Sequence, residues 1–286
     1  MLRAPRKWLL VTIITLIVSA GVVLVRPPAL GIDFTGGSLI ELTTTGSVHD
    51  VRALIDQQSL SASVQLTESG SLIVRTTSLS EEEHQAFLTQ LRDAELLGEE
   101  LRFESIGPTI GAELRRKALV AVVSAVVAMV LYLAYTFRQA SGLISSWKFG
   151  IAAAVALLHD VLLVTAVFAL LQSVGARIDT LFVTAMLAIL GYSVNDTIVL
   201  FNRFKEEWLT TRQGDLITVM DQAARKTLAR SLNTSFTTLL VLVALLVLGG
   251  ETLRWFVVAL ALGTIAGTYS SLFVAPPVLH FLAKRS

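Results

Sequence analysis

Six long apolar stretches constrain this sequence more than any other feature, because each is long enough to cross a lipid bilayer as a helix. A bilayer core of about 30 Å requires about 20 apolar residues in helical conformation. The candidate spans are residues 8–25, 118–136, 149–171, 181–201, 231–249 and 256–282. Charged residues make up only 16% of the chain, against about 25% in a typical soluble domain. The sequence therefore predicts an α-helical membrane protein with six transmembrane helices.

The first apolar run follows a basic N-terminus and resembles a signal peptide. The apolar region of a signal peptide holds about 7–15 residues. The run over residues 8–25 is longer than this, although residues 29–31 are small enough to form a cleavage site. We interpret the run as an uncleaved anchor, so that residues 1–30 form a cytoplasmic N-terminus and the first transmembrane helix.

Lysine and arginine in the short loops predict the orientation of the spans. If the N-terminus is inside, the outer short loops contain only Arg177 and Arg254. The residues in the cytoplasm or at its boundary with the membrane are then Arg3, Arg6, Lys7, Arg138, Lys148, Arg203, Lys205, Arg212, Arg225, Lys226, Arg230, Lys284 and Arg285. Both termini are therefore expected in the cytoplasm. Residues 115–117 are basic and break this pattern, and we interpret them as a short helix at the outer surface.

Residues 31–117, between the first two spans, have the pattern of a folded water-soluble domain. Residues 38–43, 62–66, 71–76 and 101–106 read as strands, and Glu68-Ser69-Gly70 reads as a hairpin turn. Helices are expected to begin at Ser47 and at Ser80, where an acidic residue three positions later suggests a capping box. The second of these helices should end near Leu97. The predicted order β-α-β-β-α-β is that of a ferredoxin-like α+β domain on the extracytoplasmic side.

Two glycine-containing motifs flank this domain. The segments 31–37 (GIDFTGG) and 107–111 (GPTIG) join it to the first and second spans. Glycine permits a positive φ and a close backbone approach, so the motifs are either tight turns or hinges. The motif residues are Gly31, Asp33, Phe34, Gly36, Gly37, Gly107, Pro108 and Gly111.

Ionisable residues at membrane depth indicate a functional site, because each costs several kcal/mol in lipid. Asp196 in the fourth span and Arg230 at the start of the fifth fall at similar depth on adjacent spans. A guanidinium is permanently charged and can neutralise a carboxylate. The residues predict an ion pair that breaks when Asp196 is protonated, which would form a proton relay. The alternative is a static polar contact that orients the helices.

Asp160 in the third span is a further candidate for the relay. His159 precedes it, and a buried neutral histidine often has a purely structural role. Other polar residues surround these positions in the fourth and fifth spans. They are Ser193, Asn195 and Thr197, with Asn233, Thr234 and Thr237 at helical spacing from Arg230.

Several other functions are disfavoured by the sequence. The formal net charge of +1 argues against nucleic acid as a partner. The chain has no cysteine and no metal-ligand cluster, phosphate loop or dinucleotide motif, so neither a metal nor a cofactor is expected. Ser193 and His280 are too different in depth to form the dyad of an intramembrane protease. Residues 202–230 read as a charged, helical cytoplasmic loop with a solvated surface. The glycines at 263 and 267 permit close helix packing.

Five segments together resemble the SecF family, the membrane subunits of bacterial SecD–SecF secretion factors. They are residues 31–37 (GIDFTGG), 106–111 (IGPTIG), 158–161 (LHDV), 191–206 (GYSVNDTIVLFNRFKE) and 229–238 (ARSLNTSFTT). They occur in the family's order over nearly the whole chain. The resemblance implies a topology like half of a resistance-nodulation-division transporter.

The resemblance also implies a function without enzymatic activity, in which protons are the coupling ion. Such proteins use the proton gradient to promote late steps of export by the Sec translocase. Asp196 and Arg230 match the family's proton-coupling pair, and a further aspartate is expected from the SecD subunit. The implied location is the bacterial inner membrane, and the implied partners are SecD, the SecYEG channel, YajC, unfolded exported polypeptide and lipid. A proton-coupled transporter of small molecules and a passive scaffold remain as alternatives.

Overall fold

The computed structural model describes residues 1–2, 4–57, 62–67, 70–140, 144–211 and 215–284. The chain forms two compact units, which are described separately below. The helical unit contains Met1–Ala29 and Val120–Ser286, and the sheet unit contains Leu30–Leu119. Of the residues used for the predictions, Arg3, Glu68, Ser69, Arg212 and Arg285 lie outside the described part of the chain.

The helices and strands are numbered in chain order. They are α1 (Pro5–Val25), α2 (Ile32–Thr35), β1 (Gly37–Thr44), α3 (Val48–Gln57), β2 (Ser63–Leu66), β3 (Leu72–Thr76), α4 (Glu81–Asp93), β4 (Leu97–Ile106), α5 (Pro108–Thr136), α6 (Ser146–Leu171), α7 (Thr180–Thr211), α8 (Leu216–Leu248), α9 (Glu251–Phe273) and α10 (Ala275–Lys284). Within the described residues, six helical segments are long and apolar enough to cross a membrane, the last of which combines α9 and α10. This confirms the predicted helical membrane protein.

The middle of the helical unit is formed by α6, α7 and α9, whose side chains are far more buried than those of α1, α5 and α8. Glycines bring α9 unusually close to α7. A Cβ atom on Gly263 would lie 2.0 Å from Ile189 Cδ1, and one on Gly267 would lie 3.0 Å from Ser193 Cβ. The close packing expected of these two glycines is therefore present, and it joins α9 to α7.

Most of the charged segment 202–230 is helical, which agrees with the helical character expected of it. Helix α7 continues to Thr211 and α8 already begins at Leu216. Ion pairs stabilise these extensions, since Glu207 lies 2.9 Å from Arg203 and 2.6 Å from Lys226. Hydropathy missed the extensions because it detects contact with lipid and not helical conformation.

Two further features concern the continuity of the helices. Residues 115–117 do not form a separate surface helix, because they lie within the continuous helix α5. The last span is divided at Val274 into α9 and α10. Pro276 and Pro277 follow this break, and proline lacks the backbone N–H that a continuous helix requires in its interior.

The sheet unit contains a four-stranded antiparallel sheet in the order β2-β3-β1-β4. Apolar side chains of β1 and β3, such as Ile40 and Val74, pack against Phe87 and Leu91 of α4. The predicted capping box is present at Ser80 and Glu83. Strand β4 begins at Leu97 and α4 ends at Asp93, so the boundary between them lies earlier than predicted.

Candidate functional site

A buried polar cluster around Asp160 joins three helices of the helical unit. Asp160 on α6 is fully buried, and its Oδ2 accepts hydrogen bonds of 2.7 Å from Ser193 on α7 and from Ser270 on α9. Its Oδ1 lies 3.1 Å from Nδ1 of His159. Both carboxylate oxygens are thus already bound, and the Ser270 hydroxyl is a partner that the sequence analysis missed.

His159 completes this cluster from the same helix as Asp160. Its side chain is 1% exposed, and its Nε2 has no hydrogen-bond partner in the described part of the structure. The ring centroid lies 5.9 Å from that of Tyr269 on α9. Because Ser193 donates to Asp160, its hydroxyl is not paired with His280, in agreement with the rejected protease dyad.

Asp196 on α7 has different surroundings. Its side chain is 6% exposed, and Oδ2 has no hydrogen-bond partner among the described residues. Arg230 and the buried Ser231 on α8 are the groups that act on its carboxylate from the neighbouring helix. A carboxylate oxygen that is buried and unbound can accept a proton without losing a hydrogen bond.

The expected direct ion pair between Asp196 and Arg230 is not formed. Within the described residues, no oxygen of Asp196 lies within the 4.0 Å that defines an ion pair with Arg230. Arg230 is exposed because the face of α8 turned towards α7 is occupied by Ser231 and Ser235 instead. The Arg230 guanidinium therefore attracts the Asp196 carboxylate over a longer distance. Its N–H groups remain accessible to another carboxylate.

The other predicted polar residues of α8 share the exposed surface with Arg230. Asn233, Thr234 and Thr237 are all exposed. The Thr234 hydroxyl donates to the Arg230 carbonyl and the Thr237 hydroxyl donates to the Asn233 carbonyl, both at 3.0 Å. The predicted common face is thus present, and it faces away from the packed middle of the unit.

The polar residues of α7 divide between two environments. Asn195 is exposed, whereas Thr197 is 2% exposed and donates to the Ser193 carbonyl at 3.0 Å. The structure therefore brings Ser193 to Asp160 and leaves Asn195 on the outside. Ser193 and Asp196 lie one turn apart on the same helix, so the two acidic sites share α7.

Hydroxyl groups that the sequence analysis overlooked join α7, α8 and α9 one helical turn from Asp196. Tyr192 Oη lies 3.0 Å from Ser235 Oγ, which in turn lies 2.5 Å from Thr268 Oγ1 on α9. Spacing could have indicated the first pair, because Tyr192 precedes Asp196 by four residues and Ser235 follows Ser231 by four.

The two glycine motifs meet in the sheet unit. Gly36 and Gly37 have φ angles of +73° and +129°. A Cβ atom on Gly36 would lie 2.8 Å from Pro108 Cα, and one on Gly111 would lie 2.7 Å from the Gly36 nitrogen. The remaining motif residues lie at or near two helices. Helix α2 follows Gly31 and contains Asp33 and the buried Phe34, and α5 follows Gly107. The motifs thus form one closely packed junction, while the hinge role stays a prediction.

Comparison with known proteins identifies the family of the chain. Residues 87–285 match the family model of the protein export membrane protein SecD/SecF, C-terminal, and residues 21–48 match that of the SecD/SecF GG motif. The protein translocase subunit SecF of Thermobaculum terrenum is 38% identical over 266 residues, which cover 87% of this chain and 83% of the relative. The SecF subunit of Pseudomonas aeruginosa is 34% identical over 282 residues, which cover 96% and 89% respectively.

Solved structures show the same similarity. The crystal structure of SecDF from Thermus thermophilus, described as a translocon-associated membrane protein, superposes with a TM-score of 0.84 at 32% identity. The match covers 96% of this chain but only 37% of the SecDF chain. SecDF in its super-membrane-facing form gives a TM-score of 0.71, also at 32% identity, and the match covers 98% of this chain and 38% of that one. This chain therefore corresponds to little more than a third of a SecDF polypeptide.

Proposed function

Because this chain belongs to the SecD/SecF family of protein-export membrane proteins and is an accessory subunit of the Sec translocase, we propose that it uses the proton gradient to promote late steps of export. The coupling group is Asp196, and Arg230 is the cation that favours its charged form. Protonation of Asp196 from one side of the membrane and release to the other drives the cycle. Each proton crossing 100 mV supplies about 2.3 kcal/mol.

The observation that carries this proposal is the unbound, buried Oδ2 of Asp196. A purely structural carboxylate in an apolar setting has its oxygens satisfied, as those of Asp160 are. Asp196 instead keeps one oxygen unbound next to a cationic helix. Asp160 stays a predicted member of the relay. Protonation of its carboxylate would require one of its present hydrogen bonds to break.

A partner subunit is supported by the exposed polar face of α7 and α8. Arg230, Asn233, Thr234 and Thr237 on α8, together with Asn195 on α7, are exposed on helices that cross the membrane. Exposure of an arginine to lipid costs several kcal/mol unless a partner pairs with it. We assign this face to a SecD subunit, whose aspartate would pair with Arg230. The additional length of the SecDF relatives is consistent with such a partner.

The sheet unit is proposed to be a ferredoxin-like domain on the extracytoplasmic side of the inner membrane, with both chain termini in the cytoplasm. Its strand order β2-β3-β1-β4 and its helices α3 and α4 support that assignment. There it would hold unfolded exported polypeptide as it leaves the SecYEG channel. YajC and membrane lipid complete the expected surroundings, and protons are the coupling ion.

The test is export by the assembled complex in membrane vesicles, measured with and without a proton gradient. Asp196→Asn and Arg230→Ala should leave the complex assembled and abolish the part of export that depends on the gradient. Glu206→Gln is a matched control, because it neutralises an exposed acid on the same helix. Wild-type export by Asp196→Asn would refute the relay and favour a passive scaffold.

A small-molecule transporter is the second candidate, and one observation favours it. An open, mainly apolar groove of about 550 Å³ lies between α8 and α9, lined in part by Phe236, Leu239 and Ile265. Cells that lack this chain would then accumulate apolar compounds while exporting proteins normally. Normal accumulation combined with defective export excludes this candidate.

A further inference from the structure

The hydroxyl groups beside Asp196 follow one another towards the end of the bundle where α7 begins and α8 ends. Ser231, which faces Asp196, is followed one turn later on α8 by Ser235. On the antiparallel helix α7, Tyr192 lies one turn before Asp196 and reaches the same level. Thr268 on α9 lies at that level as well, because it contacts Ser235.

Three of these hydroxyls, on Tyr192, Ser235 and Thr268, are joined by hydrogen bonds. Tyr192 Oη and Ser235 Oγ are 3.0 Å apart, and Ser235 Oγ and Thr268 Oγ1 are 2.5 Å apart. Ser235 is 6% exposed and Thr268 is 7% exposed. In both bonds either oxygen can be the donor. A group that donates and accepts in turn is what proton transfer along a chain of hydroxyls requires.

We propose that Tyr192, Ser235, Thr268 and Ser231 conduct protons between Asp196 and the half of the bundle nearer Thr180 and Leu248. This deepens the proposed function, on which it rests. An incoming proton binds one hydroxyl oxygen, which releases its own proton to the next oxygen, and the last proton is taken by the carboxylate of Asp196. The step from Ser235 to Ser231 spans one helical turn of about 6 Å, a distance that one bridging water covers.

A structural role for the same hydroxyls is the competing explanation. Ser235 also donates to the Ser231 carbonyl and Thr268 to the Thr264 carbonyl, both at 2.7 Å. These two bonds lie within single helices, and the Ser235–Thr268 bond could merely hold α8 and α9 together at about 0.6 kcal/mol. The two explanations differ in what a substitution changes, because a structural bond affects stability whereas a conducting hydroxyl affects the rate of proton transfer.

The experiment measures proton uptake and gradient-driven export by the assembled complex in vesicles. Ser235→Ala and Thr268→Val should each slow proton uptake at least about tenfold, whereas Ser235→Thr should restore it. Tyr192→Phe keeps the aromatic ring and should slow uptake without loss of assembled complex. Thr227→Val is the matched control, because the Thr227 hydroxyl is buried on α8 and, among the described residues, bonds only to carbonyls of its own helix.

Three outcomes would overturn the inference. If Ser235→Ala, Thr268→Val and Tyr192→Phe take up protons at the wild-type rate while Asp196→Asn does not, the hydroxyl path is wrong and the relay stands. If Thr227→Val loses as much uptake as Ser235→Ala, the hydroxyls are structural. If Asp196→Asn takes up protons normally, the proposed function itself fails.

Discussion

Substitution of Gly263 by alanine tests the packing of α9 against α7. The added Cβ atom would lie 2.0, 2.4 and 2.8 Å from Cδ1, Cγ1 and Cγ2 of Ile189, whose side chain is 2% exposed. Overpacking of this kind costs about 1–3 kcal/mol, and alanine recovers about 1 kcal/mol of helix propensity. Because three atoms of one side chain are contacted at once, we expect Gly263→Ala to destabilise the helical unit by about 2 kcal/mol.

Gly191→Ala is the matched control, because Gly191 is a glycine of α7 with no heavy atom within 4 Å of its added Cβ. It should stabilise the protein by up to about 1 kcal/mol. Ile189→Ala alone should cost about 3 kcal/mol through the cavity it creates. The double variant of Gly263 and Ile189 should lose less than the sum, with a coupling of at least about 1 kcal/mol.

The assay is denaturant unfolding of the purified chain in detergent micelles, followed by circular dichroism. Equal stability of Gly263→Ala and Gly191→Ala would refute the reasoning. So would strict additivity in the double variant, since it would mean that the new methyl group and Ile189 do not meet.

Three more substitutions address other parts of the chain. Gly36→Ala should lower the stability of the sheet unit by about 2 kcal/mol, because φ is +73° and the new Cβ would lie 2.8 Å from the backbone of Pro108. Gly107→Ala should leave the stability unchanged, because its Cβ would meet no atom within 4 Å. Hydrogen exchange measured in the full chain compares the two variants. Asp160→Ala should lower the stability of the helical unit by at least about 1 kcal/mol, as it breaks two interhelical bonds, and unchanged unfolding would contradict the contacts. Hydrogen bonds from the backbone and hydroxyl of Ser80 lower the pKa of Glu83. The capping box therefore stabilises α4 fully at pH values above the ordinary pKa of a glutamate, and this stabilisation is lost as the pH falls through the lowered pKa. Ser80→Ala should cost about 1 kcal/mol at pH 7 and should weaken the pH dependence of hydrogen exchange in α4.

The membrane spans could be predicted from the sequence because a bilayer requires a fixed length of apolar chain. The limits of α7 and α8 could not, because charged residues continue these helices. Glu207, for example, binds Arg203 and Lys226 across the two extensions. Such pairing depends on how the two helices lie beside each other, which hydropathy does not encode.

The sequence predicted how deep the residues of the candidate site lie along their helices, but not which way each helix is turned about its own axis. Residue counting places Asp196 and Arg230 at similar levels, but the turn of α8 about its own axis directs Ser231 inwards and leaves Arg230 exposed. Rotation is determined by side-chain packing among several helices. For the same reason the sequence indicated Asp160 and Ser193 separately, and only the structure shows that one binds the other.

The junction of Gly36 with Gly111 has a mechanical consequence. No side chain separates the backbone that leads into β1 from the first turns of α5, since an added Cβ on Gly111 would lie 2.7 Å from the Gly36 nitrogen. Proteins usually absorb a small displacement by rearranging side chains. The contact between Gly36 and Gly111 contains no side chain that could rearrange. A pull on β1 is therefore expected to reach the start of α5 through direct contact between backbones.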